Sequence, residues 1–256
     1  MASGRDLELN EVGWWSHWAD VRWTGETSYA MLSSDFDEYF FNRAGFVDCG
    51  GGQDAIPKIE AEFEALAKPS CFSVQEECNE VATMLESRGY VTFDKMSVMQ
   101  LDQPKFRTAA GVRLLSGQEV GAAEWAAAYS LSFYGDLGVQ NSVSLIAERL
   151  RVESSVTLFA GEKDGKTLGV LAAFRTPGFF GVYCVGSLGK HRSMGVAGSL
   201  IHEASRMASA EGRLLILQTI VSDKMEDFYA RGGFHRLYLK QLMRREASGS
   251  YLQRRH

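Results

Sequence analysis

Apolar residues recur along this chain with two periods, one helical and one alternating. Over Asp54–Ala67 the helical period places Ile56, Ile59, Phe63 and Leu66 on one face, with Glu60, Glu62 and Glu64 elsewhere. From about Gly195 to Ala210 it aligns Val196, Leu200, Ala204 and Met207. One or two further helices are expected over roughly Leu7–Val21, and others over Gln118–Phe133, Ser142–Arg151 and Met225–Arg231. The last has Asp223 and Glu226 as a capping pair. Shorter apolar runs read as strands: Val112–Leu115, Val156–Gly161, Thr167–Arg175, Phe179–Ser187, Leu214–Gln218 and Phe234–Met243. Asp164-Gly165 suits a tight primed turn and joins two of them as a hairpin. The order across 112–243 is β-α-α-β-β-β-α-β-α-β. That predicts an α+β protein with a mixed sheet and helices on both faces.

The same pattern occurs twice. Sliding CFSVQEECNEVATMLESRGYVTFDKMSVM onto LILQTIVSDKMEDFYARGGFHRLYLKQLM by an offset of 144 residues needs no gap. Val81 then meets Met225, Met84 meets Phe228, Leu85 meets Tyr229 and Gly89 meets Gly233. Further on, Tyr90 meets Phe234, Phe93 meets Leu237, Val98 meets Leu242 and Met99 meets Met243. Apolar character is kept on both helix and strand, so a shared architecture is expected in the two halves. The boundary falls near Asp102–Gly111, where Pro104 and polar residues interrupt the pattern, giving domains 1–105 and 106–256.

Composition excludes several classes. With 15 Phe, 9 Tyr and 5 Trp the chain has ample apolar surface to fold, and no apolar run is long enough to span a bilayer. The start, MASGRDLELNEVG, carries no secretory signal. Cys49, Cys71, Cys78 and Cys184 have no metal-ligand spacing and read as reduced core thiols in a cytoplasmic protein. Residues 1–105 carry 8 basic and 19 acidic side chains, and the remainder is net positive. The plain reading is a solvated acidic surface with a basic tail; the sharper one is a second half that handles an anion and a first half that faces a cation. A pI of about 5.6 and the lack of a basic, aromatic-interleaved stripe disfavour nucleic acid. Trp14, Trp15, Trp18 and Trp23 are expected in packing.

Two stretches suggest chemistry. Ala160–Thr167 approximates a phosphate-binding loop, but Thr167 opens the strand-like run LGVLAAF, so a hairpin turn is expected instead. Val185-Gly-Ser187-Leu-Gly-Lys190-His191-Arg192-Ser193-Met194-Gly195-Val196-Ala197-Gly198 joins a strand to an amphipathic helix. Such a loop aims several N–H groups and a helix dipole at one place, which makes an anion site.

The pattern R-x-x-G-x-A at Arg192–Ala197, followed by Y-x-x-x-G-F at Tyr229–Phe234, resembles the GNAT N-acetyltransferase superfamily. The resemblance covers slightly over half the chain. With the degenerate first half the chain resembles the tandem-domain members. It departs from the family in Gly189-Lys190-His191, where proline or acidic residues are common, and in Ser222, where asparagine is common.

The resemblance implies a GNAT fold in the C-terminal half, acetyl-CoA as cosubstrate and a primary amine of a small molecule or peptide as acceptor. Backbone amides from Arg192 through Ser193, Met194, Gly195, Val196 and Ala197 to Gly198 would hold the pyrophosphate. Val185, Gly186 and Ser187 would pair with the pantetheine arm, with Ser222 near it. Tyr229 occupies the general-acid position. No general base is legible: Tyr183, Asp136 and Glu153 are all candidates, and the central strand FFGVYCVGS has no carboxylate. The competing reading is a catalytically silent acyl-CoA-binding regulator. No metal is expected, and monomer and homodimer fit equally.

Overall fold

The computed structural model describes residues 4–50 and 52–245. In chain order the first half contains α1 (Gly4–Trp15), β1 (Asp20–Thr24), β2 (Ser28–Leu32), β3 (Arg43–Phe46), α2 (Gly52–Ala65), β4 (Cys71–Gln75), α3 (Asn79–Ser87) and β5 (Tyr90–Leu101). The second contains β6 (Arg113–Ser116), α4 (Ala122–Phe133), α5 (Gln140–Val152), β7 (Val156–Lys163), β8 (Lys166–Thr176), β9 (Phe179–Ser187), α6 (Val196–Ala210), β10 (Leu214–Ile220), α7 (Glu226–Arg231) and β11 (Phe234–Arg245). Every element predicted across 112–243 is present. A separate 3-10 turn at Gly117–Glu119 precedes α4. Another, at Val221–Asp223, precedes α7, so Met225 rather than Asp223 is the residue before that helix. In the first half the helix expected to reach Val21 stops at Trp15. Val21 lies in β1, where it pairs with Met31, and that hairpin partner overrides the local helical pattern.

The repeat holds at the level of elements. β5 and β11 are each 12 residues long and start 144 residues apart, as do the first residues of α2 and α6.

The chain folds into two compact units. Among the described residues, the first comprises 4–98, 219–226 and 236–245, and the second 99–218 and 227–235. The sequence boundary at 105/106 therefore lies a few residues beyond the point where the chain passes into the second unit, and most of β11 joins the first.

In the first unit the strand order is β1-β2-β3-β4-β11-β5. β3 runs parallel to β4, while β1–β2, β2–β3 and β4–β11 are antiparallel. One sheet face is apolar: Ala30, Ala44, Phe72, Val74 and Met243 pack against Ile56, Ile59 and Phe63 of α2 and Val81 and Leu85 of α3. The other face is charged and buried beneath α1. Glu8 accepts hydrogen bonds from Tyr238 Oη (2.7 Å) and Lys240 Nζ (3.0 Å), and Glu11 is ion-paired with both Lys240 and Arg43. All four charged side chains are at most 2% exposed. Burial drives the Glu8 carboxyl upward despite Lys240, whereas Lys240 and Arg43 together outweigh burial at Glu11 and hold it low. Trp14, Trp15 and Trp18 are buried with Phe36 and Phe41, as packing residues, while Trp23 on the edge strand is largely exposed.

Cys49, on the loop after β3, and Cys78, before α3, form a disulfide with their Cα atoms 4.9 Å apart. The expectation of four reduced thiols is thus corrected, because spacing in sequence does not show which loops meet in space. The cytoplasmic placement loses the ground it rested on. Cys71 and Cys184 remain thiols, and burial pushes Cys71 up to about 12. No described helix is long and apolar enough to cross a membrane.

The second unit has the strand order β10-β9-β8-β7-β6, antiparallel except for β9 with β10. The β7–β8 turn has Asp164 and Gly165 both at positive φ, the primed turn expected, so Ala160–Thr167 is a hairpin and not a phosphate loop. Its core joins Phe159, Leu171, Phe180 and Val182 of the sheet to Val196, Leu200, Ala204 and Ala208 of α6.

Candidate active site

The sheet of the second unit opens along β9. Its parallel register with β10 runs from Phe179 with Leu214 to Val182 with Leu217 and ends there, although β9 continues to Ser187. On its other edge β9 stays paired with β8, where Val170 faces Gly186 and Ala172 faces Tyr183. Leu171 therefore spans both Cys184 and Val185, a β-bulge, and Cys184 takes a left-handed φ of 53°. A bulge of this kind leaves one residue out of the regular ladder, in the part of β9 beyond its register with β10. Position 186 must be glycine, because a Cβ there would sit 2.8 Å from Ser132 Cβ and 2.9 Å from the Phe133 ring at the end of α4.

After Ser187 the chain makes a 3-10 turn over Gly189–His191 and enters α6 through Gly195, whose φ is 78°. That left-handed conformation lets the chain turn sharply into the helix without a Cβ penalty. The Ser199 N–H closes the first helical bond, onto the Gly195 carbonyl. The amides of Val196, Ala197 and Gly198 open the helix and, by helix geometry, have no intrahelical acceptor. Lys190, Arg192, Ser193 and Met194 are exposed, and neither Lys190 nor Arg192 has an ion-pair partner among the described residues. The His191 ring contacts Met194 Sδ at 3.2 Å. A positive-φ glycine, three helix-opening amides and two unneutralised cations together form an anion cradle, with the chemistry that a diphosphate requires.

The other sequence candidates fall in different surroundings. Tyr229, on α7, is 7% exposed and edge-on to Phe228 and Phe234, within the core of the second unit. Its repeat partner Leu85 is likewise buried in the core of the first unit. Ser222 belongs to the first unit, where its hydroxyl donates to Asp94 Oδ2 at 2.5 Å. Tyr183 is buried. Asp136 is exposed and accepts from the Gly138 N–H, and Glu153 accepts from the Ser155 hydroxyl. Sequence reasoning located the loop and the strand end but missed the bulge at Cys184 and the approach of Ser132 and Phe133. Glycine at 186 was the only local signal of that close contact.

No protein-family model and no curated protein matches the sequence. Solved structures do match its fold. A GCN5-related N-acetyltransferase from Kribbella flavida superposes with a TM-score of 0.68 at 19% identity, covering 98% of each chain. A putative GNAT acetyltransferase from Novosphingobium aromaticivorans gives 0.56 at 15% identity, covering 93% of this chain and 96% of that one. A tandem GNAT protein from the clavulanic acid biosynthesis pathway gives 0.59 at 14% identity, covering 87% and 79%. This chain has the fold of the GNAT N-acetyltransferases.

Proposed function

We propose that the protein is an acyltransferase whose C-terminal half passes an acetyl group from acetyl-CoA to a primary amine. One conjunction carries the reading: β9 parts from β10 and bulges at Cys184, and the loop it leads into ends in the anion cradle at Gly195. In this reading Arg192, Ser193, Met194, Gly195, Val196, Ala197 and Gly198 surround the pyrophosphate, and Val185, Gly186 and Ser187 offer an unpaired strand edge to the pantetheine amides. The cosubstrate supplies an activated acetyl thioester. In this reading a backbone N–H of the strand end polarises the thioester carbonyl, and such fixed dipoles act strongly where water is excluded. Tyr229 supplies a proton to the departing thiolate. A phenol with a reference pKa near 10 does so only in concert with bond breaking, which makes its effect moderate. Ser222 has its proton committed to Asp94, so toward any ligand it is left as an acceptor.

The first half is, in the same reading, a degenerate copy that binds no coenzyme. Counted back from the helix starts, Asp48 stands where Arg192 does and Gln53 where Ala197 does. Gly51, the counterpart of Gly195, lies outside the described residues. Asp48 and Asp54 flank the first-half loop, and a carboxylate close to a diphosphate is repulsive.

The acceptor is a primary amine. Its cationic character has less support than the charge count suggested, because Glu8, Glu11 and Glu60 are neutralised internally. A screen for thiol release from acetyl-CoA across amines, polyamines, amino acids and peptide N-termini tests the proposal, with turnover expected for at least one class. Coenzyme binding without thiol release from any acceptor would instead establish the silent regulator, a reading favoured by the lack of a carboxylate on β9.

A further inference from the structure

The segment joining β5 to β6 has no regular structure between 102 and 112, yet it is held along its length within the second unit. The Asp102 N–H donates to the Gly233 carbonyl at 3.1 Å and the Lys105 N–H to the Gly232 carbonyl at 3.0 Å. Phe106 lies between α6 and α7. A Cβ on Gly198 would sit 3.0 Å from its ring, one on Gly232 would collide with it, and the Phe228 ring is 4.9 Å away. Next, the Ala109 N–H donates to Ser199 Oγ at 2.8 Å, and that hydroxyl donates to the Gly195 carbonyl at 2.8 Å. A Cβ on Gly195 would meet the Ala109 methyl at 2.9 Å. The segment thus runs from the end of α7 to the glycine that opens α6.

Its two cations face no carboxylate. Lys105 and Arg107 are exposed and have no ion-pair partner among the described residues, and Arg107 Nη1 donates to the carbonyls of Pro104 and Phe106 in its own segment. By contrast, Arg175, Arg206, Arg213 and Arg236 of the same half are all paired with glutamates. Lys190 and Arg192 share the unpaired state of Lys105 and Arg107: the first two lie on the loop that enters α6, the other two on the segment whose Phe106 and Ala109 pack against Gly198 and Gly195.

We propose that residues 105–109 form the subsite for the 3′-phosphoadenosine end of the coenzyme, with Lys105 and Arg107 taking the 3′-phosphate. The inference rests on the acyl-CoA reading above. Coenzyme A is linear, with the thioester at one end, the 3′-phosphoadenosine at the other and the pyrophosphate between them. With the thioester at the Cys184 bulge and the pyrophosphate at Gly195, the nucleoside continues past the start of α6. The segment in contact with Gly195, Gly198 and Ser199 there is 106–109. Phe106, packed between α6 and the end of α7, fixes the backbone that carries the two cations.

Calorimetric titration of the full chain with coenzyme A and with 3′-dephospho-coenzyme A tests this. Wild type is expected to bind coenzyme A at least about tenfold more tightly than the dephospho form, as a charge-assisted phosphate contact of about 1.4 kcal/mol or more implies. The double variant K105A/R107A is expected to lose that preference while keeping its affinity for the dephospho form. Equal affinities of wild type for the two ligands would overturn the subsite and leave the acyl-CoA reading standing. So would an equal loss for both ligands in the variant, which would make the segment a brace for the loop. A wild type that binds neither ligand would overturn both.

Discussion

The strand-to-helix loop occurs twice in this chain, and the two copies dispose of their charges in opposite ways. After β3, Asp48 accepts from the Gly50 N–H at 2.9 Å and is ion-paired with Arg5 at 2.8 Å, while the neighbouring Cys49 is tied to Cys78. After β9 the charges are not paired in this way: Lys190 and Arg192 are exposed and have no ion-pair partners among the described residues. The described part of the first loop, 47–50, is pinned by its hydrogen bond and disulfide, whereas the second runs over 188–195. What distinguishes the copies is the charge before the helix: a carboxylate, Asp48, tied to Arg5 in the first, and the cations Lys190 and Arg192, without ion-pair partners among the described residues, in the second.

The most drastic way to break this contrast is Gly195→Glu. It places a carboxylate at the cradle and a Cβ against Ala109, and it should weaken acetyl-CoA binding by more than about 100-fold. Titration of the wild type is expected to give one site per chain. Two equivalent sites, or a site surviving in the variant, would show that the first-half loop is competent after all. The reverse test concerns the self-satisfied half. Lys240→Met leaves Glu8 with Tyr238 and Glu11 with Arg43 but removes the cation they share, and urea unfolding should report a loss of about 3 kcal/mol. A change under about 1 kcal/mol would mean that the buried charges are not what holds α1 to its sheet.

A smaller effect is expected at the repeat pair of Tyr229 and Leu85. Tyr229→Phe keeps the ring packing and should lower turnover roughly 100-fold under conditions where chemistry limits the rate, with coenzyme affinity little changed. Unaltered turnover would make Tyr229 a packing residue like its partner. The mildest test sharpens the picture of the first unit through pH. Burial raises Glu60, but hydrogen bonds from Arg88 and Tyr90 and the charge of Arg245 outweigh it and hold the carboxyl below its ordinary value. A depressed folded-state pKa contributes stability above the unfolded value, and that contribution is lost as pH falls through the folded one. The difference in stability between wild type and Glu60→Gln should therefore be largest near neutrality and shrink below about pH 4. A pH-independent difference would rule out the ionised carboxylate as its source.

Much of the fold was legible because its signals are local. The continuous run FFGVYCVGS is β9 residue for residue, and the glycine stops at Gly89 and Gly233, both at positive φ, mark the same helix-to-strand turn in both halves. The candidate loop was legible for the same reason: glycines, cations and a helix period lie side by side in sequence. What escaped depends on distant partners. An acidic first half reads as solvated surface, yet Glu8 and Glu11 find Lys240 more than 200 residues away. The bulge at Cys184 is a mismatch between two strands and leaves no trace in either alone. Phe106 looked like part of a linker because the two glycines that receive it are far apart in sequence, Gly198 on α6 and Gly232 in the turn after α7.

The assignment of most of β11 to the first unit has a consequence for any attempt to divide the protein. A cut at 105/106, where the sequence invites one, would remove from the first half the strand that pairs with β4 from Lys240 to Arg244. Its Glu8 and Glu11 would lose Lys240, and Glu60 would lose Arg245. The halves thus share a pattern of elements but are not two modules in practice. Each fragment would carry an uncovered sheet edge and mismatched charge. A fusion, truncation or circular rearrangement that respects this chain has to keep residues 236–245 with the amino-terminal half, however far along the gene they lie.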